Sequence, residues 1–372
     1  MKRFHILLLS VVSLSVIISS CGKSTVPGTQ DGNWYRFVAP FQGPARSHAA
    51  SFVLNPDGNG NGTTAYVGTG FSNRNTKFND FYQAIPIGDS SLTWAQVASF
   101  GGSSRSDAVG FAVGGKGYVG LGIDTADNYL SDFWQYDSTL NQWTSIAPYP
   151  GNARANAVAF TINNIGYVGT GYDGYNYYGD FWKYDPSSNS WGQSITFGGF
   201  KRSGAVAFVY NNMGFVVTGI GESNGVVNDF YRFSTTAVPA DAYHQAQLPN
   251  SWLHLNAITN TSTATFDDGY TNIQRSNAVL FVMSGVTSGL GSPDAGRPKA
   301  FLTCGTAGSS TWEYDIISDL WTTRTSYESQ SVSYGVGFTI NNRGFVTTGL
   351  SGGTGVSATS EFFPDQVYNQ QD

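Results

Sequence analysis

The sequence predicts an all-β fold, a β-propeller of six blades, on three observations. A block of about 50 residues recurs along nearly the whole chain, a period expected of propeller blades. Its clearest copy runs Arg154, Gly166-Tyr167-Val168-Gly169-Thr170-Gly171, Asp180-Phe181-Trp182-Lys183-Tyr184-Asp185-Pro186 and Trp191. The preceding copy is Arg105, Gly117-Tyr118-Val119-Gly120-Leu121-Gly122, Asp132-Phe133-Trp134-Gln135-Tyr136-Asp137 and Trp143. The spacing is also constant: Arg105 to Tyr118, Arg154 to Tyr167 and Arg202 to Phe215 are each 13 positions, and Trp94 to Arg105, Trp143 to Arg154 and Trp191 to Arg202 are each 11. Finally, the apolar runs are short and bounded by turn residues, as in Ala157-Val158-Ala159-Phe160-Thr161-Ile162, and no helical periodicity competes with them.

The blades follow in order. An arginine opens the first five, at Arg46, Arg105, Arg154, Arg202 and Arg275. In the sixth, Val332 takes that place, followed by Phe345-Val346-Thr347-Thr348-Gly349 and Glu361-Phe362-Phe363, and no closing tryptophan comes after them. That strand is expected from the other end of the chain, where Trp34 in Asn33-Trp34-Tyr35-Arg36-Phe37-Val38 precedes Arg46 by 12 positions. Such a closure leaves no open sheet edge between the first and last blades. Asn163-Asn164, Asn211-Asn212 and Asn341-Asn342 sit between the first two strands of their blades, where tight hairpins need positive φ. Asp185-Pro186 through Asn189 reads as the turn before an outermost strand.

With its opening arginine, Tyr-Asp turn and blade tryptophan, the stretch from Trp34 to Phe363 resembles the kelch family of propellers. It departs from the family's paired glycines, carrying Gly-Thr-Gly or Gly-Leu-Gly instead, and Thr303-Cys304-Gly305 in blade five. The blades are also similar to the propeller domain of galactose oxidase. That enzyme's copper centre needs a cysteine cross-linked to a tyrosine, and Cys304 lies in a blade strand, so the oxidase is rejected.

The organisation expected is a signal peptide over 1–20, a tether over 21–32 and the propeller over 33–372. Met1-Lys2-Arg3 is basic, Phe4 to Ile18 is apolar, and Ile18-Ser19-Ser20-Cys21-Gly22 resembles a bacterial lipobox. The resemblance implies lipidation of Cys21 and anchoring by several acyl chains, with Gly22 pointing to an outer membrane of the cell envelope. With Cys21 lipidated, Cys304 is the remaining thiol, so no intrachain disulfide is expected. The net charge of −6, with 12% charged and 15% aromatic residues and no basic run, argues against nucleic acid or anionic lipid as the main partner.

A carbohydrate or an envelope protein or peptide is the expected ligand, on the face formed by the loops that open each blade and those joining its second and third strands. In peptide-binding kelch propellers the residue after the opening arginine lines the channel mouth; here those positions are Ser47, Ser106, Ala155, Ser203, Ser276 and Ser333. Tyr172, Tyr175 and Tyr177 lie in a loop on the same face and offer flat apolar area with a polar tip. Trp252 to Arg275 is 23 positions where 11 is normal, an insertion that brings Asp267, Asp268 and Tyr270 to that face. Insertions near Val238 to Leu248 and Val286 to Pro298 map to the opposite face.

No metal or cofactor is expected. Asp57-Gly58-Asn59-Gly60-Asn61-Gly62 opens like an EF-hand loop, but its twelfth position is Gly68 rather than a glutamate. No His-x-x-His or Cys-x-x-Cys pair exists. Catalysis is the alternative reading. Its best form is an activity like that of the sialic-acid mutarotases, also six-bladed kelch propellers, with Arg105, Arg154, Arg202 and Arg275 offered to a substrate carboxylate and Asp267 or Asp268 as base.

Overall fold

The structure, a computed structural model, describes residues 32–54, 61–73, 76–88, 91–256, 258, 273–286 and 296–371. Among them, five four-stranded antiparallel sheets and one of five strands carry the fold. Blade two, Val109–Val113, Lys116–Gly120, Phe133–Asp137 and Gln142–Ser145, is typical: a meander running outward from the central channel. Its first turn is Gly114-Gly115, and the corresponding turns are Asn163-Asn164, Asn211-Asn212 and Asn341-Asn342. All these residues have positive φ, between 48° and 74°, the geometry two-residue hairpins require.

Each first strand carries a phenylalanine stacked on an aromatic directly across the hairpin, as in Phe111 on Tyr118 and Phe160 on Tyr167. The same phenylalanine packs into the next blade. A Cβ built on Gly166 would come within 2.3 Å of the Phe111 ring, and one on Gly214 within 2.5 Å of the Phe160 ring. Glycine at that point of the repeat is therefore the socket for the preceding blade. In the outer strands, the indole N–H of Trp143 donates to the Ala98 carbonyl at 3.0 Å and that of Trp191 to Ala147 at 2.9 Å, in each case reaching the blade before.

The ring closes as expected. Asn33–Tyr35 pairs antiparallel with Thr359–Phe363 as the outer strand of blade six, and Trp34 Nε1 donates to the Thr325 carbonyl of blade five at 3.1 Å, as Trp143 and Trp191 do in their blades. A second clasp was not foreseen: Asn61–Gly62 of blade one pairs in parallel with Thr339–Ile340 on the inner edge of blade six.

Two closed circuits of backbone hydrogen bonds run around the channel. The N–H of Gly70, Gly122, Gly171, Gly219, Gly305 and Gly349 each donates to the carbonyl of the residue opening the next blade, at 2.7–2.8 Å, the last of them returning to Arg46. The second circuit uses His48, Asp107, Asn156, Gly204, Asn277 and Tyr334, each N–H donating to the carbonyl of the one before it, at 2.8–3.1 Å.

The loops between blades and those between second and third strands share one face, called upper below; the hairpin turns form the lower face. Asn33 pairs with Phe363 at the lower end of blade six, so the chain enters the propeller from the lower face.

Candidate functional site

The opening arginines are structural. Arg46, Arg105, Arg154, Arg202 and Arg275 are 0–1% exposed. Arg46, Arg105 and Arg154 make forked ion pairs with Asp80, Asp132 and Asp180, at 2.5–2.6 Å through Nη1 and 2.8–3.1 Å through Nη2; Arg202 pairs with Asp229. Arg275 donates to Ser310 Oγ and to the Cys304 carbonyl. Each guanidinium thus ties the start of its blade to the third strand and to a carbonyl after the second. Such groups are committed internally, not presented to a substrate carboxylate.

The serines that follow them do not form the mouth. Ser47, Ser106, Ser203 and Ser276 are buried and Ser333 is half-buried. The backbones of Ser47, Ser106, Ser203 and Ser333 bridge to the loop after the second strand, at Phe71, Ile123, Ile220 and Leu350. The mouth is lined one residue further on, by His48, Asp107, Asn156, Gly204, Asn277 and Tyr334. Their shared φ of 53–59° turns each side chain position toward the axis while the main chain completes the second circuit. A constriction of Ala49, Ala108, Ala157, Ala205, Ala278 and Gly335 lies beneath. The repeat carried this signal: the middle position of Arg-Ser-x-Ala varies while its neighbours hardly do.

Two of these side chains face each other. His48 Nε2 lies 3.8 Å from Asp107 Oδ1, with the side chains 9% and 7% exposed. The imidazole is sandwiched between Tyr334 at 3.6 Å and Phe71 at 4.5 Å, and its Nδ1 is 2.8 Å from Ser47 Oγ. Burial lowers the His48 pKa, and the Asp107 charge offsets this only in part. Asp107 Oδ1 is buried and accepts no hydrogen bond from the described residues. The hydroxyls of Tyr129 and Tyr334 are raised in pKa, first by burial, with the Asp107 charge contributing.

Beside the mouth stands the tyrosine loop of blade three. Tyr172 and Tyr177 pack with ring centroids 4.7 Å apart, and Tyr177 Oη donates to Asn224 Oδ1 at 3.0 Å. Tyr175 is 91% exposed. Asp173 Oδ1 holds the loop by accepting the N–H of Tyr175 at 2.8 Å and of Asn176 at 2.7 Å. Burial alone would raise its pKa, but these amides and the Tyr178 hydroxyl bring it to about 2.

Cys304 is fully buried and burial pushes its thiol up to about 11, as suits a core side chain rather than a nucleophile. No group of His, Cys, Asp and Glu among the described residues could hold a metal ion. Cys21, Asp57–Gly60, Asp267, Asp268 and Tyr270 lie outside the described residues. At the lower end the channel widens into a cavity of about 730 Å³ with Phe52, Thr161, Asn163 and Asn212 among its walls and no charged side chain among its described lining.

No known family profile and no curated protein matches the chain. Among solved structures it is similar to one described as "Structure of YjhT", with 14% sequence identity and a TM-score of 0.59 over 87% of this chain and 96% of that one. At that identity the likeness concerns the fold alone, and with the sheets and circuits above it establishes this chain as a six-bladed β-propeller.

Proposed function

We propose that the protein is a kelch-type lipoprotein of the cell envelope, anchored in an outer membrane through Cys21, that binds carbohydrate on its upper face. The observation that carries this reading is the pairing of a polar channel mouth with exposed aromatic area beside it. His48, Asp107, Asn156, Asn277 and Tyr334 supply converging donors and acceptors, and Tyr172, Tyr175 and Tyr177 supply flat faces for a sugar ring. Entry of the chain from the lower face agrees with an anchor there, leaving the upper face turned outward from the membrane.

The test is the thermal unfolding of the full chain in detergent against neutral mono- and oligosaccharides, since a ligand that binds the native state raises its melting temperature by mass action. A saturable rise that Tyr172→Ala together with Tyr175→Ala abolishes supports the proposal. No shift with any sugar, alongside stable co-purification with one envelope protein, moves the ligand to the protein class.

A second reading, sugar interconversion of the mutarotase kind, is favoured by one feature: an imidazole and a carboxylate face each other across the mouth. Anomer exchange followed by NMR, catalysed by the wild type and lost in His48→Gln, would select it.

A further inference from the structure

We propose that the channel mouth is a site for a protonated primary amine, the ammonium group of an amino sugar docking against Asp107. The sugar body rests on the carbohydrate reading of the upper face; the ammonium pocket stands on its own observations.

The first is the state of Asp107. Its side chain is 93% buried, being 7% exposed, and Oδ1 receives no hydrogen bond from the described residues. A buried carboxylate oxygen without a donor is costly, and native structures rarely leave one so. The missing partner is therefore a donor other than the described residues.

The second is charge. His48 Nε2, at 3.8 Å, is the one basic nitrogen within 4 Å of the carboxylate among the described residues, too far for a hydrogen bond. Burial also disfavours the charged form of that imidazole. The other described side chains facing the mouth, Asn156, Asn277 and Tyr334, carry no basic group, and no lysine or arginine lines it among the described residues. The opening arginines point away, each engaged by its own blade. Among the described residues, the mouth therefore holds a carboxyl group with no lysine or arginine beside it. A carboxylate or phosphate ligand would be repelled, and a neutral hydroxyl would leave the charge unbalanced. An ammonium supplies both a donor and the opposite sign.

The third is size. The cavity at the mouth is about 120 Å³ and reaches the ring of five alanines and Gly335, which also lines the next stretch of the channel. An ammonium fits there, with the edge of the sugar ring that bears it held at the rim of the mouth.

Titration calorimetry on the full chain at neutral pH, with glucosamine, N-acetylglucosamine, glucose and methylammonium, tests this. Glucosamine should bind about tenfold or more tighter than the two neutral sugars, the scale of a charge-assisted hydrogen bond. Asp107→Asn should remove that preference. Asn tolerates the φ of +59° at this position, and only the main chain of Asp107 takes part in the circuit, so the variant should fold. Asn156→Asp, which adds a carboxylate at the neighbouring position of the mouth, should strengthen glucosamine binding. Glucosamine binding no tighter than glucose, or a preference that survives Asp107→Asn, overturns the proposal while leaving the carbohydrate reading intact. If none of the sugars binds, the carbohydrate reading falls, and methylammonium then decides the pocket: binding that depends on Asp107 supports it, and no binding overturns it.

Discussion

At the scale of single residues, the arginine–aspartate pair recurs in blades one to four, and blade six, which lacks both partners, explains its logic. Blade six has Val332 where the arginine stands and Ala358 where the aspartate stands, both partners being absent together. Burying a guanidinium is costly unless acceptors meet it, a carboxylate in blades one to four and Ser310 with the Cys304 carbonyl in blade five, whereas replacing both partners by apolar groups removes charge and desolvation cost at once. In blade three, Asp180→Ala should therefore destabilise the protein by about 3 kcal/mol, because it leaves Arg154 charged and buried. Arg154→Val with Asp180→Ala, the pairing of blade six, should recover part of that loss, with a coupling energy of about 2 kcal/mol. Denaturant unfolding of the two single variants and the double variant measures it, and a coupling near zero would mean that the fork contributes no mutual stabilisation.

At the scale of elements, the tyrosine loop of blade three depends on one carboxylate. Asp173 accepts from two backbone amides and a tyrosine hydroxyl. Its folded pKa of about 2 lies below the ordinary 3.8. A carboxyl depressed on folding contributes order that is present above the unfolded value and lost as pH falls through the folded one. The loop should thus loosen between pH 4 and pH 2, and Asp173→Asn should flatten that dependence. Hydrogen exchange of the Tyr175 and Asn176 amides reports it; protection unchanged down to pH 2 would show that Asp173 is not what holds the loop.

At the scale of the whole molecule, stability is that of a closed ring. The seam between blades six and one is held by the outer strand Asn33–Tyr35, by Asn61–Gly62 on the inner edge and by the two backbone circuits. Trp34 anchors that outer strand at the interface of blades five and six, fully buried and packed between Tyr327 of blade five's outgoing segment and Phe362. Trp34→Ala should cost about 3–5 kcal/mol and make blade six the first to exchange its amides. If the loss is spread evenly over all blades instead, closure is not the weak point of the ring.

The repeat, the number of blades and the N-terminal closure were legible in the sequence because each rests on local chemistry repeated at fixed spacing: apolar strand runs, Asn and Gly turns, and a tryptophan missing at one end and present at the other. The structural role of the arginines was legible in outline, since a residue repeated in nearly every blade serves what every blade shares. The floor of the candidate site was not. Whether position one or two after Arg46 faces the channel depends on a left-handed backbone turn that exists only when six blades meet and their main chains bond in a circuit. Likewise, nothing local brings His48 of blade one to Asp107 of blade two or leaves Asp107 Oδ1 without a donor. The sequence by itself determined the blades, because strand and turn preferences act over a few residues. Only the tertiary structure decided which side chains converge, because convergence at a propeller's axis is a property of the closed ring.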